Sequence, residues 1–112
     1  MSFEFNGKQI ETTETGFLVN QEDWNEDLAK FMAEMEKIQL TERHWDVINF
    51  LREEYYENAQ HQPNNREILK AMGERWGGRL SNKDIFDLFP LNPSKQAGRI
   101  AGLPESMRKG GY

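Results

Sequence analysis

The first residues of the chain alternate between apolar and polar side chains, which is the two-residue period of a β-strand. Phe3, Phe5 and Ile10 are the apolar members, and the pair Asn6-Gly7 stands between them. An Asn-Gly pair tolerates the two positive φ angles of a type I′ turn. The pattern predicts a small β-hairpin, followed after a polar turn by a short extended piece at Phe17-Leu18-Val19.

Beyond Trp24 the apolar residues change to the spacing of amphipathic helices. Leu28, Phe31, Met32 and Met35 form the first stripe of this kind and predict a helix over 25–36. The same spacing, bounded by Pro63, Gly77-Gly78, Pro90 and Pro93, predicts further helices over 42–59, 65–76, 82–89 and 94–101. Thr41, Asn64 or Asn65, and Ser81 are residues of the types that cap helix N-termini.

The composition is that of one soluble, ordered domain: 112 residues, of which 37% are hydrophobic and 29% charged. No apolar run approaches the roughly 18 residues that a membrane helix requires. The first residues carry no basic segment followed by an apolar one, as a secretory leader does. We therefore expect a cytoplasmic protein.

The net charge of −5 conceals a division of the chain into two halves of opposite sign. Residues 1–60 carry five basic and fourteen acidic side chains, whereas residues 61–112 carry nine basic and five acidic ones. This asymmetry predicts a basic face that could meet an anionic partner. The acidic total argues against broad, non-specific binding of nucleic acid.

The sequence contains no cysteine, which excludes disulfides, thiolate metal sites, iron–sulfur clusters and sulfur nucleophiles among these residues. His44 and His61 are its two histidines, and they lack the spacing of a helical metal pair. We expect His44 to pack within the second helix and His61 to be solvated. The sequence thus predicts neither a metal nor a cofactor.

The helices predicted over 65–76 and 82–89 are joined through Gly77-Gly78, which is the plan of a helix-turn-helix. The second of them carries one lysine and two aspartates, a poor composition for entering a DNA groove. A structural helix corner is the simpler interpretation. A DNA-binding regulator remains the alternative.

The segment from Lys95 to Pro104 offers a candidate docking surface. Lys95 and Arg99 are four residues apart, so that on a helix they project from one face, while Ile100 is on the other. Arg108 and Lys109 add two further positive charges in the tail. The segment fits either a solvated helix face or a surface that binds a partner.

Three blocks of the sequence resemble the DsrC/TusE family. They are LTERHWDVINFLREEYY over 40–56, Leu88-Phe89-Pro90, and KQAGRIAGLP over 95–104. The resemblance implies a mainly α (α+β) fold, an orthogonal helical bundle of about five helices with a small N-terminal β-hairpin and a flexible C-terminal arm. It predicts a single domain over 1–112, divided into a hairpin region at 1–20, a helical body at 25–101 and an arm at 102–112.

The resemblance also implies a place in sulfur metabolism. Members of the family carry persulfide sulfur on a cysteine near the end of the arm. In the dissimilatory branch the arm reaches into sulfite reductase, and a second cysteine lies in the block that here reads KQAGRIAG. In the TusE branch the carrier accepts sulfur from a relay complex and serves the thiolation of tRNA.

This sequence departs from the family at both cysteine positions. The inner cysteine falls on Gly98, and the family's spacing places the outer one on Lys109, or on Gly110 or Gly111 if the longer tail is allowed for. Persulfide transfer requires a thiolate, which neither glycine nor lysine supplies. We therefore assign no catalytic residue, and an enzymatic activity is not expected.

Three functional hypotheses follow from the resemblance and its departures. The first is a protein that binds partners from a sulfur-relay or dissimilatory sulfite reductase system, as a regulator or competitor, without touching a membrane. Its predicted partner-binding residues are Lys95, Arg99, Gly102, Leu103, Pro104, Arg108 and Lys109. The second is the DNA-binding regulator described above. The third is a participant in sulfur relay whose reactive cysteine comes from a partner.

Overall fold

The structure is a computed structural model that describes residues 1–105. The predicted arm at 102–112 is described only as far as residue 105, and the predicted partner residues Arg108 and Lys109 lie outside this range. No helix within 1–105 is long and apolar enough to span a membrane.

The predicted hairpin is present. Strand β1 (Ser2–Phe5) pairs antiparallel with β2 (Lys8–Glu11), and Phe3 lies opposite Ile10. Asn6 and Gly7 have φ angles of 51° and 76°, the two positive values that a type I′ turn requires. The expected third extended piece is reduced to one bridge between Thr12 and Leu18.

The described residues form the five predicted α-helices. Their bounds are α1 (Glu26–Met35), α2 (Glu42–Glu57), α3 (Asn65–Trp76), α4 (Asn82–Leu88) and α5 (Pro93–Ile100). A short 3₁₀ helix at Gln21–Asp23, which the periodicity did not predict, precedes α1. Helix α2 ends two residues before the predicted 59, because Ala59 and Gln60 adopt φ angles of 53° and 62° that a right-handed helix cannot contain.

Polar side chains fix where the helices begin. The Asn25 side chain accepts a hydrogen bond from the backbone N–H of Leu28 at the start of α1. Asn64 and Glu67 bond reciprocally at the start of α3, and Ser81 and Asp84 do so at α4. These contacts satisfy N–H groups that the helix itself leaves unpaired, so the sequence positions of the caps set the helix boundaries.

Helix α5 lies at the centre of the core. It packs against α1, α2, α3 and α4, and its residues Ala97 and Ile100 are fully buried. A smaller cluster of Ile10, Leu18, Leu28 and Met32 joins the hairpin to α1. Met35 was predicted to continue this stripe but is 51% exposed, because the last residue of α1 lines an open groove.

Both histidines have defined partners. The backbone N–H of Thr41 donates to His44 Nδ1 at 3.0 Å, so the hydrogen of the neutral ring is on Nε2, which lies 2.9 Å from the carbonyl oxygen of Leu88. His44 therefore packs as predicted and also caps α2. The expectation that His61 is merely solvated was wrong, since its Nε2 lies 2.9 Å from the Glu67 carboxylate.

Burial lowers the pKa of His44 below its ordinary value of 6.5, and the hydrogen bond to Leu88 opposes this effect only in part. At a pH between the pKa of His44 in the folded chain and its ordinary value in the unfolded chain, the unfolded chain binds a proton on His44 and the folded chain does not. The stability that depends on a neutral His44 is thus fully present above pH 6.5 and is lost progressively as the pH falls below this value. We expect the free energy of unfolding, measured in urea, to fall between pH 7 and 5 by at most about 1.4 kcal/mol per pH unit from this group.

The matched control for this pH dependence is His44→Gln. A glutamine at the third helical position can still reach back to the backbone N–H of Thr41, so the cap is retained while the titrating ring is removed. The variant should show a smaller loss of stability on acidification. Equal pH slopes for the two proteins would contradict the assignment to His44.

Candidate functional site

Helix α5 ends in a hydrogen-bonded motif that turns the chain sharply. The backbone N–H of Leu103 donates to the carbonyl of Gly98 at 3.0 Å, and that of Gly102 donates to Arg99 at 3.1 Å. Gly102 has a φ of 76°, the left-handed conformation that this pair of bonds requires. The residues that follow α5 therefore leave in a direction fixed by their own backbone.

Three side chains from distant parts of the sequence hold the carbonyl groups at this end. Trp24 Nε1 donates to Ile100 O at 2.8 Å, Arg52 Nη1 donates to Ala101 O at 2.7 Å, and Gln62 Nε2 donates to Pro104 O at 2.8 Å. We call residues 101–105, together with these three side chains, the arm root. The Arg52 cation and the Trp24 N–H group, both at the C-terminus of α5, also oppose the negative end of the helix dipole.

Gly102 has a second reason to be glycine. A Cβ atom at this position would lie 2.3 Å from Trp24 Cδ1 and 2.8 Å from Trp24 Cβ. The indole thus packs directly on the Gly102 backbone while its Nε1 donates to Ile100. Both the turn and the position of Trp24 therefore require a residue without a side chain at position 102.

Arg99, predicted as a docking cation, is bound within the protein. Its Nε lies 2.8 Å from Glu36 Oε2 and its Nη2 lies 2.5 Å from Glu36 Oε1, a bidentate ion pair between α5 and the end of α1. The two side chains are 18% and 19% exposed. Gln96 Nε2 also donates to Glu36 at 2.8 Å. The Arg99 guanidinium therefore links α5 to the end of α1 through this ion pair.

Lys95 lies four residues before Arg99 in α5, as predicted, but does not share its ion pair with Glu36. It is half-buried and has no ion pair among residues 1–105. With Ser94, Gly98 and Leu103 it lines a cavity of about 20 Å³. Lys95 is thus the cation of α5 whose charge the described residues leave unpaired.

Gly98, at the position of the family's inner cysteine, is buried but not crowded. A Cβ atom built on it would meet no heavy atom of the neighbouring residues within 4 Å. The backbone there is helical and needs no glycine. The fold therefore leaves room for a Cβ atom at this position.

The remaining predicted site residues divide between interior and surface. Gly102 and Leu103 are buried, so they position the chain, and Pro104 is half-buried at the edge of the cavity that Lys95 lines. Trp24, Arg52, Gln62 and Glu36 were not predicted as site residues. No spacing signal could have found them, because each meets α5 or the arm root across 42 to 76 residues of sequence.

The helix corner predicted as an alternative DNA-binding motif is formed by α3 and α4. The single lysine of α4, Lys83, is paired with Asp87 at 2.8 Å on the same helix. Phe86 is the exposed apolar residue of α4. Within residues 1–105 no group of histidine and acidic residues could hold a metal ion.

Curated proteins and a family model match the chain over most of its length. The family model described as DsrC-like protein matches residues 4–108. The sulfurtransferase TusE of Photorhabdus laumondii is 42% identical over 105 residues, which are 93% of this chain and 94% of the relative. The sulfurtransferase TusE of Escherichia coli K12 is 41% identical over 105 residues, 93% of this chain and 95% of the relative.

Solved structures share the fold. The NMR structure of DsrC from Allochromatium vinosum has a TM-score of 0.82 and 44% identity, and covers 96% of this chain and 98% of the other. The crystal structure of the oxidized γ-subunit of the dissimilatory sulfite reductase (DsrC) from Archaeoglobus fulgidus has a TM-score of 0.86 and 33% identity, with the same coverage. From its sequence and its fold, this chain belongs to the DsrC-like family.

Proposed function

We propose that this protein is a partner-binding or regulatory member of a sulfur-relay system, serving either sulfite reductase or the 2-thiolation of tRNA, and that it does not carry persulfide. One observation carries the proposal. The arm root is fully built, whereas the 112 residues contain no cysteine. Recognition and sulfur transfer, which the family combines, are separated in this chain.

The construction of the arm root supports a role in recognition. Ordering a residue costs about 1–2 kcal/mol of conformational entropy, and a chain end is ordered only where contacts offset this cost. Here Gln62 holds Pro104, and the Thr15 hydroxyl donates to the Glu105 carboxylate at 2.8 Å. These contacts hold residues 104 and 105 against the body of the protein.

The relatives support the sulfur-relay part of the proposal. Two are named sulfurtransferase TusE, and one solved relative is the γ-subunit of dissimilatory sulfite reductase. Applied to this chain, these names indicate partners that normally receive a family member with a sulfur-bearing arm. A cysteine-free member that docks on such a partner would occupy its site without delivering sulfur. We place this function in the cytoplasm.

The predicted partner residues take different parts in this proposal. Lys95 and Pro104 provide contacts at the surface, and Arg108 and Lys109 extend these contacts with positive charge along the arm. Arg99, Gly102 and Leu103 act from within, by holding α5 and the arm root in place. The surface contribution is therefore cationic, and we expect the docking site of the partner to be acidic.

The proposal predicts competition in a reconstituted relay. A cysteine-bearing family member passes persulfide sulfur to its acceptor, and an excess of the present protein is expected to slow this transfer by occupying the partner. Lys95→Glu should raise the concentration needed for half-inhibition by roughly tenfold, since it replaces an attraction by a repulsion. Transfer is followed by the sulfur mass on the acceptor.

Lys70→Glu is the matched control, because it makes the same charge change at an exposed position of α3 and should inhibit like the parent protein. A persulfide donor should add no mass of about 32 Da to this protein, whereas Lys109→Cys should gain it. Failure to inhibit at large excess, or stable uptake of sulfur by the unaltered chain, would contradict the proposal.

A further inference from the structure

A cleft of about 570 Å³ lies between the loop before α1 and the C-terminal half of α2. Its lining includes Val19, Glu22, Trp24, Arg52 and Tyr56. Val19 and Tyr56 are 55% and 51% exposed, and both are among the large apolar side chains that the fold leaves at the surface. An open cleft of this volume has room for a few side chains of another molecule.

Arg52 is the basic residue of this cleft. Its guanidinium carbon lies 3.8 Å from the ring centroid of Trp24 and 5.0 Å from that of Tyr56, and its Nη1 donates to Ala101 O. Among residues 1–105 no carboxylate forms an ion pair with it. A guanidinium has five N–H donors in a planar fork. Arg52 can therefore donate hydrogen bonds to a carboxylate of another molecule through the N–H groups that do not bond Ala101 O.

We infer that this cleft is a docking surface for a segment of a partner protein, which places one carboxylate on Arg52 and an aliphatic side chain against Val19 and Tyr56. The inference rests on the proposed function, since it assigns a contact surface for the partner which that function requires. Arginine, tryptophan and tyrosine are the residues that contribute most at protein interfaces, especially where the surrounding contacts exclude water.

Glu22 restricts the kind of molecule that can bind in the cleft. Its carboxylate lines the same cleft and repels a polyanion, so a nucleic acid strand is disfavoured. A peptide segment with a single acidic residue meets much less repulsion than a polyanion, because only one carboxylate enters the cleft and that carboxylate binds Arg52. A carboxylate bound to Arg52 would also hold the guanidinium against Ala101 O, and docking would thereby stabilise the arm root.

The test uses two peptides that differ only in charge, acetyl-Leu-Glu-Leu-amide and acetyl-Leu-Gln-Leu-amide. Their binding to the full chain is followed by the NMR shift of the Trp24 indole N–H, which lies beside the cleft. The acidic peptide is expected to give a saturable shift, and the neutral one to bind roughly tenfold more weakly because it lacks the charge-assisted bonds.

Tyr56→Ala removes an apolar wall without touching a hydrogen bond of the arm root, and should weaken both peptides. Leu91→Ala is the control, as Leu91 is 73% exposed and lines a different groove. Equal affinities for the two peptides, no shift at millimolar peptide, or a larger shift with oligothymidylate would each overturn the inference. Because no relay component enters this assay, its failure is distinguishable from failure of the competition experiment.

Discussion

Gly102→Ala is expected to lower the free energy of unfolding by about 2–4 kcal/mol. The left-handed conformation at this position costs an L-residue about 1 kcal/mol or more. The added methyl group would also overlap Trp24, whose Cδ1 lies 2.3 Å from the Cβ position, and forcing a methyl group into a packed site costs about 1–3 kcal/mol. Urea unfolding followed by tryptophan fluorescence measures the change.

Alanine substitutions at two other glycines distinguish the backbone contribution to this loss of stability from the packing contribution. Gly7 has the same φ of 76° as Gly102, but a Cβ there meets no atom within 4 Å, so Gly7→Ala should show the backbone cost alone. Gly78→Ala, with neither feature, should change the stability by less than about 0.5 kcal/mol. Equal losses for Gly102→Ala and Gly7→Ala would show that the contact with Trp24 contributes nothing.

Breaking the ion pair between Glu36 and Arg99 is expected to cost about 2–3 kcal/mol for either single variant, Glu36→Gln or Arg99→Met. Each variant leaves a charge that is less than one-fifth exposed without its bidentate partner. The double variant should be more stable than the sum of the two losses implies, with a coupling free energy of about 1–2 kcal/mol. The four proteins of the cycle are compared by urea unfolding.

Lys83 and Asp87 provide the matched control for this cycle. They form an ion pair at 2.8 Å, but their side chains are 80% and 61% exposed. Exposed ion pairs four residues apart on a helix contribute little to stability, because water screens the two charges. A coupling between Glu36 and Arg99 that is no larger than this control would mean that α5 is held to α1 by apolar packing alone.

The features that the sequence predicted are local ones. The Asn6-Gly7 turn and the caps at Asn64 and Ser81 each involve residues within four positions of one another, so the chemistry of the turn or cap is visible in the sequence. The helix bounds followed from these signals to within two residues. The end of α2 was missed because nothing in its composition indicates the positive φ angles at Ala59 and Gln60.

The arm root could not be predicted in the same way. Arg99 looked like a free cation because its partner, Glu36, is 63 residues away, and Arg52 lay within a helical pattern that gave no sign of its bond to Ala101. In the structure Arg99 is paired with Glu36, whereas Lys95 forms no ion pair among residues 1–105. The absence of cysteine, by contrast, is a property of the composition and can be read directly from the sequence.

The central position of α5 also bears on how the protein is made. This helix is synthesised after the other four, yet all of them pack against it, and Trp24 and Arg52 find their acceptors only at its end. Nascent chains that have not yet emerged as far as α5 expose the apolar surfaces that it covers. The core can therefore close only after α5 has left the ribosome, and products that terminate before α5 should be degraded rather than accumulate.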